Sequence, residues 1–234
     1  WPRVLDLTNV ILGAGDPELT PDFGTLLAAS LEMAAIAQAV GEDRLANPRD
    51  DLVSALMHAS VDGESLTPQE MASFFILLAA AGNETTRNAI SHGMQAFFDN
   101  PEQWERYKAE RPTTMADEVV RWGTPVQMFQ RTAMEDCEVG GQAITKDQRV
   151  GLLYGSANYD ESVFDEPNHF DIFRDPNPHV GFGGGGVHYC PGSHLAKLEI
   201  DLMFNAIADN IPDLAPAGPQ RRLRSGWLNG IKEM

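Results

Sequence analysis

The sequence predicts a mainly α-helical fold with small β-sheets, of the α+β class. Three observations carry this. Apolar residues recur at helical spacing from the start of the chain to Trp122; beyond Pro125 the period changes to two, in short runs separated by glycine- and aspartate-containing turns; and a glycine-rich loop around Cys190 leads into a last helical stretch. These read as parts of one domain over residues 1–234, with helices over 1–125, short strands, a meander and the cysteine loop over 126–190, and a helix with a final hairpin over 191–234.

Val4, Leu5, Leu7, Val10, Ile11 and Leu12 follow helical spacing until Gly13, Gly15 and Pro17 stop them, so the first residues read as the tail of a helix. Thr20-Pro21 offers an N-cap with proline in the first turn, opening an Ala- and Leu-rich helix over Phe23 to Val40. A shorter helix is expected from about Asp50 to Ser60, closed by the Asp62-Gly63 turn. Thr67-Pro68-Gln69-Glu70 is a capping box with proline at the first helical position, and it opens the longest element, which runs to about Asp99.

Inside that element stands Ala81-Gly82-Asn83-Glu84-Thr85-Thr86, an unusual run for mid-helix. Glycine there costs about 1 kcal/mol against alanine, and threonine is a weak helix former. One reading is a helix crossing, with Gly82 admitting a neighbour and Thr85 back-bonding to the Ala81 carbonyl. The other is a groove with a chemical task.

Pro101 to Arg111 and Thr113 to Trp122 form the next helices. The second carries Glu118 and Arg121 at i, i+3, ordinarily a surface pair worth little. Val126 to Ala133, Glu138-Val139, Ala143-Ile144 and Arg149 to Tyr154 read as strands, with Gly140-Gly141 turning a hairpin. Tyr159 to Val180 is expected to be an ordered meander, Pro212 to Pro219 a loop, and Leu223 to Lys232 a final hairpin. Phe74, Ile76, Leu77 and Val126 are candidates for a cavity wall.

A content of 43% hydrophobic and 22% charged residues places the chain among folded globular proteins. The net charge of -17 argues against nucleic acid and anionic membrane surfaces as partners. It leaves room for a basic redox partner, or for a local basic patch that meets an acidic one. Two cysteines, Cys137 and Cys190, make no disulfide framework and suit a reducing cytoplasm. The longest apolar run, Met71 to Gly82, is too short to span a bilayer, so no transmembrane segment is expected. Trp1-Pro2-Arg3 has no apolar region behind a basic start, and the chain opens abruptly, as a fragment would.

The chemistry converges on His179 to Ala196. Gly183 to Gly186 leave the backbone uncovered before Cys190, and Pro191 suits the first helical position, which would put the cysteine where free N–H groups and the helix dipole favour a thiolate. A zinc site would take His188, Cys190 and His194 with His179 as fourth ligand, but lacks a second cysteine pair. A loop cysteine without a ligand role leaves the glycines, His188 and the helix start unexplained. A thiolate on haem iron accounts for all three.

This stretch resembles the cysteine loop of the cytochrome P450s, a phenylalanine, glycines, a histidine or arginine, any residue, the cysteine, any residue, glycine, and then Leu-Ala two residues on; here these are Phe182, Gly183 to Gly186, His188, Cys190, Gly192 and Leu195-Ala196. Phe182 stands one residue further from the cysteine than in the commonest form, a spacing associated with bacterial sterol and lipid side-chain hydroxylases of the family. With Ala-Gly-Asn-Glu-Thr-Thr-Arg-Asn and the closing Leu-Arg-Ser-Gly-Trp-Leu-Asn-Gly-Ile-Lys, the chain looks most like the actinobacterial steroid C26/C27 side-chain monooxygenases.

The resemblance implies a cytochrome P450 fold lacking its N-terminal part, with haem b (iron protoporphyrin IX) as cofactor and Cys190 as axial ligand of the iron. In that reading Ala81 and Gly82 make room in an oxygen-binding groove, and Glu84 and Thr85 deliver protons to dioxygen. Arg131, His179 and His188 match propionate contacts, alongside Phe182 and Gly192 of the loop. Glu118, Arg121 and Arg174 resemble a buried Glu-Arg-Arg network. The final hairpin would reach back into the substrate cavity.

The implied activity inserts one atom of O2 into an unactivated C–H bond, at the terminal side-chain methyl of a sterol such as cholesterol or cholest-4-en-3-one, with electrons from a ferredoxin and its ferredoxin reductase. Alternatives are a truncated, non-catalytic haem-binding fragment, or a monooxygenase of another branched lipid. Glu84 and Thr85 argue against a peroxide-fed enzyme, which needs no such relay. Pro191, lacking an N–H, leaves Gly192 and Ser193 as donors near the sulfur, which predicts an electron-rich thiolate.

Overall fold

The computed structural model describes residues 2–60 and 62–234. Its helices are α1 (Pro2–Leu12), α2 (Phe23–Ala46), α3 (Leu52–Met57), α4 (Pro68–Asp99), α5 (Pro101–Glu110), α6 (Met115–Gly123), α7 (Tyr154–Ala157) and α8 (Ser193–Asn210). The strands are β1 (Met128–Thr132), β2 (Cys137–Val139), β3 (Gln142–Ile144), β4 (Arg149–Leu153), β5 (Arg221–Arg222) and β6 (Ile231–Glu233). The chain divides into two compact units, one up to Glu84 and one from Thr85 onward, with α4 contributing to each.

In the first unit, Val4 and Leu7 of α1 pack on Ala29 and Met33 of α2, with Phe75, Ile76 and Ala79 of α4 against them. The cap of α2 is Asp22, whose carboxylate accepts the Thr25 N–H at 2.7 Å. Thr20 cannot serve because its hydroxyl donates to the Val10 carbonyl at 2.5 Å, tying the turn back to α1. The helix also runs on to Ala46 rather than stopping near Val40. Gly41 is a packing residue, where a Cβ would stand 3.2 Å from Met57 Sδ.

By length and composition alone α2 is long and apolar enough to cross a membrane, although polar residues interrupt its apolar runs. Its buried residues Ala29, Met33, Ala37 and Gly41 lie four apart and form one stripe. The capping box at α4 is present: the Thr67 N–H donates to Glu70 Oε2 at 2.8 Å and the Glu70 N–H to Thr67 Oγ1 at 3.2 Å.

The core of the second unit gathers around Phe97 of α4, whose ring lies 5.0 Å from Trp104, 5.6 Å from Tyr107, 5.4 Å from Phe170 and 5.3 Å from Phe204. Each such buried aromatic contributes about 1.5–3 kcal/mol. The meander joins this core through Phe170 and Ile172, both buried. Its backbone is held by side chains: the Ile172 N–H donates to Gln103 at 3.3 Å and its carbonyl accepts from Thr114 at 2.6 Å. That explains how a segment without periodicity stays ordered.

The strands form two-stranded antiparallel pairs, β1 with β4, β2 with β3 and β5 with β6. Gly140 and Gly141 turn the β2–β3 hairpin with φ of 59° and 78°, angles that a side chain makes costly. The short helix α7 was not expected; it directly continues β4.

Along α8 the apolar residues fall on two sides: Leu195, Leu198, Leu202 and Met203 are exposed, Ile207 packs half-buried on the core, and the buried residues are Ser193, Ile200, Phe204 and Ala208. This helix is apolar on two sides, so periodicity alone could not tell which side meets the core.

Candidate functional site

The second unit is locked from within by α6. Glu118 and Arg121, adjacent on one face of the helix, are both wholly buried. The Arg121 guanidinium donates to both Glu118 oxygens, at 2.7 and 2.8 Å, and to the carbonyls of Asn158 and Pro167 at 2.9 Å each. The rings of Tyr159 and Phe164 stand 5.2 and 5.4 Å from its central carbon. Arg174 donates to Glu118 Oε2 at 3.2 Å and to the carbonyls of Asp165 and His169 at 2.7 and 2.9 Å.

The same carboxylate accepts the Asp171 N–H at 3.0 Å and Asn177 Nδ2 at 3.1 Å. Glu118 is thus the knot that ties the meander to α6. Its burial is tolerable because each oxygen is paired and hydrogen-bonded.

Asn158 extends the knot to the cysteine loop. Its side chain donates to Thr124 Oγ1 at 3.0 Å and accepts the Val180 N–H at 2.8 Å. Nothing in the sequence marked this asparagine or Asn177; each becomes visible only when distant segments meet. Beyond Val180 the chain turns through Gly183, whose N–H donates to the Val180 carbonyl at 2.8 Å. It returns at Cys190, whose N–H donates to the Phe182 carbonyl at 2.9 Å, so residues 183–189 loop outward between two fixed points. Gly185 and Gly186 take φ of 98° and 77° with open space around them, angles that a side chain makes costly.

Cys190 is a free, half-buried thiol. Helix α8 begins at Ser193 with Gly192 as its cap, so Pro191 lies before the helix and not at its first position. The cysteine is therefore two residues before the cap, with the Ser193 N–H donating to its carbonyl at 3.2 Å. A Cβ at Gly192 would sit 3.8 Å from the sulfur, in ordinary contact. His188 is exposed, Val187 is 97% exposed, and Arg131 on β1 is half-buried with a bond from Nη1 to the Gln130 carbonyl at 3.1 Å.

His179 stands apart from the other residues expected to face propionates, because both its ring nitrogens are engaged within the protein: Nε2 with Asp117 Oδ1 at 2.9 Å, and Nδ1 with the Gly181 N–H at 3.1 Å. The zinc alternative needs that same ring. Among the described residues no group of three or more His, Cys, Asp and Glu side chains is arranged to hold a metal ion.

On α4, Gly82 and Ala81 are exposed, Thr85 is half-buried and Glu84 is buried. Among the described residues, a Cβ at Gly82 would meet nothing within 4 Å. A flat macrocycle that carries two carboxylates and an iron seeking a soft ligand fits these residues. Cys190 offers the sulfur, Arg131 and His188 offer groups for the carboxylates, and the bare backbone of the loop offers close approach.

Comparison with known proteins agrees. A family profile described as Cytochrome P450 matches residues 31–210. The chain is 59% identical to a steroid C26-monooxygenase of Rhodococcus jostii over 99% of its own length and 48% of the relative's. It is 47% identical to a methyl-branched lipid omega-hydroxylase of Mycobacterium tuberculosis, over 99% of itself and 55% of that protein. The solved structure of a Mycobacterium marinum cytochrome P450 in complex with pseudoionone matches with a TM-score of 0.94 at 39% identity, over 99% of this chain and 57% of that one. The chain spans about half the length of the curated relatives it matches. The chain therefore belongs to the cytochrome P450 family.

Proposed function

We propose that the whole protein is a haem-thiolate monooxygenase that inserts one oxygen atom of O2 into an unactivated C–H bond at the end of a sterol side chain, cholesterol and cholest-4-en-3-one being the substrates in view. Ferredoxin and its reductase supply the electrons, and the cofactor is haem b. The observation that carries this reading is the free thiol of Cys190, a residue whose backbone is held between the Phe182 carbonyl and the Ser193 N–H, in a chain 59% identical to a steroid C26-monooxygenase. Once bound, the haem supplies the activation of dioxygen, with the cysteine sulfur pushing electron density toward the iron.

The chain's own residues have narrower tasks. Cys190 presents the sulfur. Arg131 and His188 neutralise and orient the propionates, and Gly82 keeps the α4 surface clear. Thr85 holds a proton on its hydroxyl and Glu84 replenishes it, a minimal relay for a reaction that consumes protons. The relative named a methyl-branched lipid omega-hydroxylase favours a second reading, oxidation of another branched lipid at its chain end.

The test is product analysis with the full-length protein, ferredoxin, reductase and NADH. Oxidation of cholest-4-en-3-one at the terminal methyl is expected, and Thr85→Ala should divert reducing equivalents to free peroxide. Sterol turnover without terminal-methyl oxidation contradicts the substrate assignment, and unchanged coupling in Thr85→Ala removes Thr85 from the relay.

A further inference from the structure

Three side chains from separate elements meet at one carboxylate oxygen beside the cysteine loop. Asp117 of α6 receives His179 Nε2 at 2.9 Å and Lys197 Nζ of α8 at 2.6 Å, both at Oδ1. The Gly181 N–H donates to the other ring nitrogen of His179, which assigns the imidazole proton to Nε2 and aims it at Asp117. The His179 side chain is 5% exposed. Burial pushes the Asp117 carboxyl up, but the bonds from His179 and Lys197 and the Lys197 charge outweigh it and hold the group below the usual carboxylate range.

Phe182 is gripped by the same residues. Its ring centroid lies 5.7 Å from that of His179, and Lys197 Nζ stands 5.7 Å from it on the other element. The backbone between His179 and Phe182 is pressed onto α6, since a Cβ at Gly181 would fall 2.5 Å from Val120 Cγ1. The Phe182 carbonyl in turn accepts the Cys190 N–H at 2.9 Å. A continuous path thus runs from Asp117 through His179 and Lys197 to Phe182 and to the cysteine backbone.

We infer that Asp117, His179 and Lys197 are positioning residues for the Cys190 thiolate, a clamp that fixes Phe182 and through its carbonyl the direction of the sulfur. The inference rests on the reading of Cys190 as the haem ligand, and it gives His179 a task other than a propionate contact. The three residues hold α6, the loop entry and α8 at one oxygen. Losing the clamp frees the loop without touching the sulfur itself. An axial thiolate that is less well held is protonated or displaced more easily.

The experiment uses the full-length, haem-loaded protein. Asp117→Ala, Asp117→Asn and His179→Gln are reduced, exposed to carbon monoxide and compared at equal bound haem, alongside Asp209→Ala, which breaks only the Arg111–Asp209 pair on the far end of α8. In Asp117→Ala the share of haem lacking the red-shifted thiolate Soret band should rise about fivefold, and amide exchange at Cys190 should quicken by a similar factor. Asp117→Asn, which keeps an acceptor for His179, should fall between it and the wild type, and Asp209→Ala should match the wild type.

Wild-type band shares and exchange rates in both Asp117→Ala and His179→Gln overturn the clamp. Absence of the red-shifted band from the wild type overturns the haem-ligand reading instead. Exchange at Cys190 then still decides whether the clamp holds the loop.

Discussion

At the scale of single residues, the molecule concentrates its cost at Glu118. One carboxylate accepts from Arg121, Arg174, Asn177 and the Asp171 backbone while wholly buried. Removing one member of such a set leaves the rest unpaired, a loss of about 3–5 kcal/mol. Tyr159 shares this environment, with its hydroxyl donating to the Trp122 carbonyl at 2.8 Å. Burial pushes its phenol up to about 12, with Glu118 adding to the shift and the Arg121 charge opposing it. Burial likewise pushes Tyr107 up to about 12, against the charge of Arg111.

Both phenols have folded values above the ordinary value of about 10. Their contribution to stability is therefore whole below about pH 10 and is lost as the pH climbs toward about 12. An ultraviolet phenolate titration of Tyr159→Phe should lose one of the two phenolates that titrate at about 12, Tyr107 keeping the other. A missing component near about 10 contradicts the burial argument.

At the scale of elements, two glycines of α4 differ in what a side chain would meet. Gly93 is where α4, α6 and α8 crowd together: a Cβ there would stand 2.8 Å from Phe204 Cζ and 2.9 Å from both Val119 methyls. Gly93→Ala should cost about 1–3 kcal/mol in denaturant unfolding. At Gly82 a Cβ meets open space, so Gly82→Ala should stabilise by up to about 1 kcal/mol through helix propensity, while weakening carbon monoxide or substrate binding in the haem-loaded protein. Equal costs at the two positions contradict the assignment of Gly82 to the groove.

Much of this was legible in advance. The α4 capping box, the change of period after Pro125 and the Gly-Gly hairpin are local signals, and local signals survive into the fold. What stayed hidden depends on distant partners. Thr20 lost its capping role to a bond with Val10, α2 ran on past Gly41 because Met57 packs there, and the buried face of α8 was set by Phe97 and its neighbours. The site followed the same rule. Cys190, Phe182 and the Glu118–Arg121 pair lie in recognisable motifs, whereas Asp117, Asn158 and Lys197 acquire meaning only from what folds against them.

At the scale of the whole molecule, the exposed leucines of α8 and the apolar outer side of α2 belong to a chain that covers 48% of its Rhodococcus relative. The units on either side of Glu84 each carry their own buried cluster. The second holds the complete cysteine loop, its knot at Glu118 and the Asp117 clamp. The net charge of -17 makes electrostatic attraction to a basic protein surface stronger at low ionic strength.

The most direct measurement is the absorption spectrum of the haem-loaded, full-length protein, reduced and exposed to carbon monoxide, beside that of Cys190→Ala. A strongly red-shifted Soret band in the wild type that disappears in Cys190→Ala is the expected result. A red-shifted band that survives in Cys190→Ala, or bound haem without one in the wild type, contradicts the assignment of Cys190 as the axial thiolate.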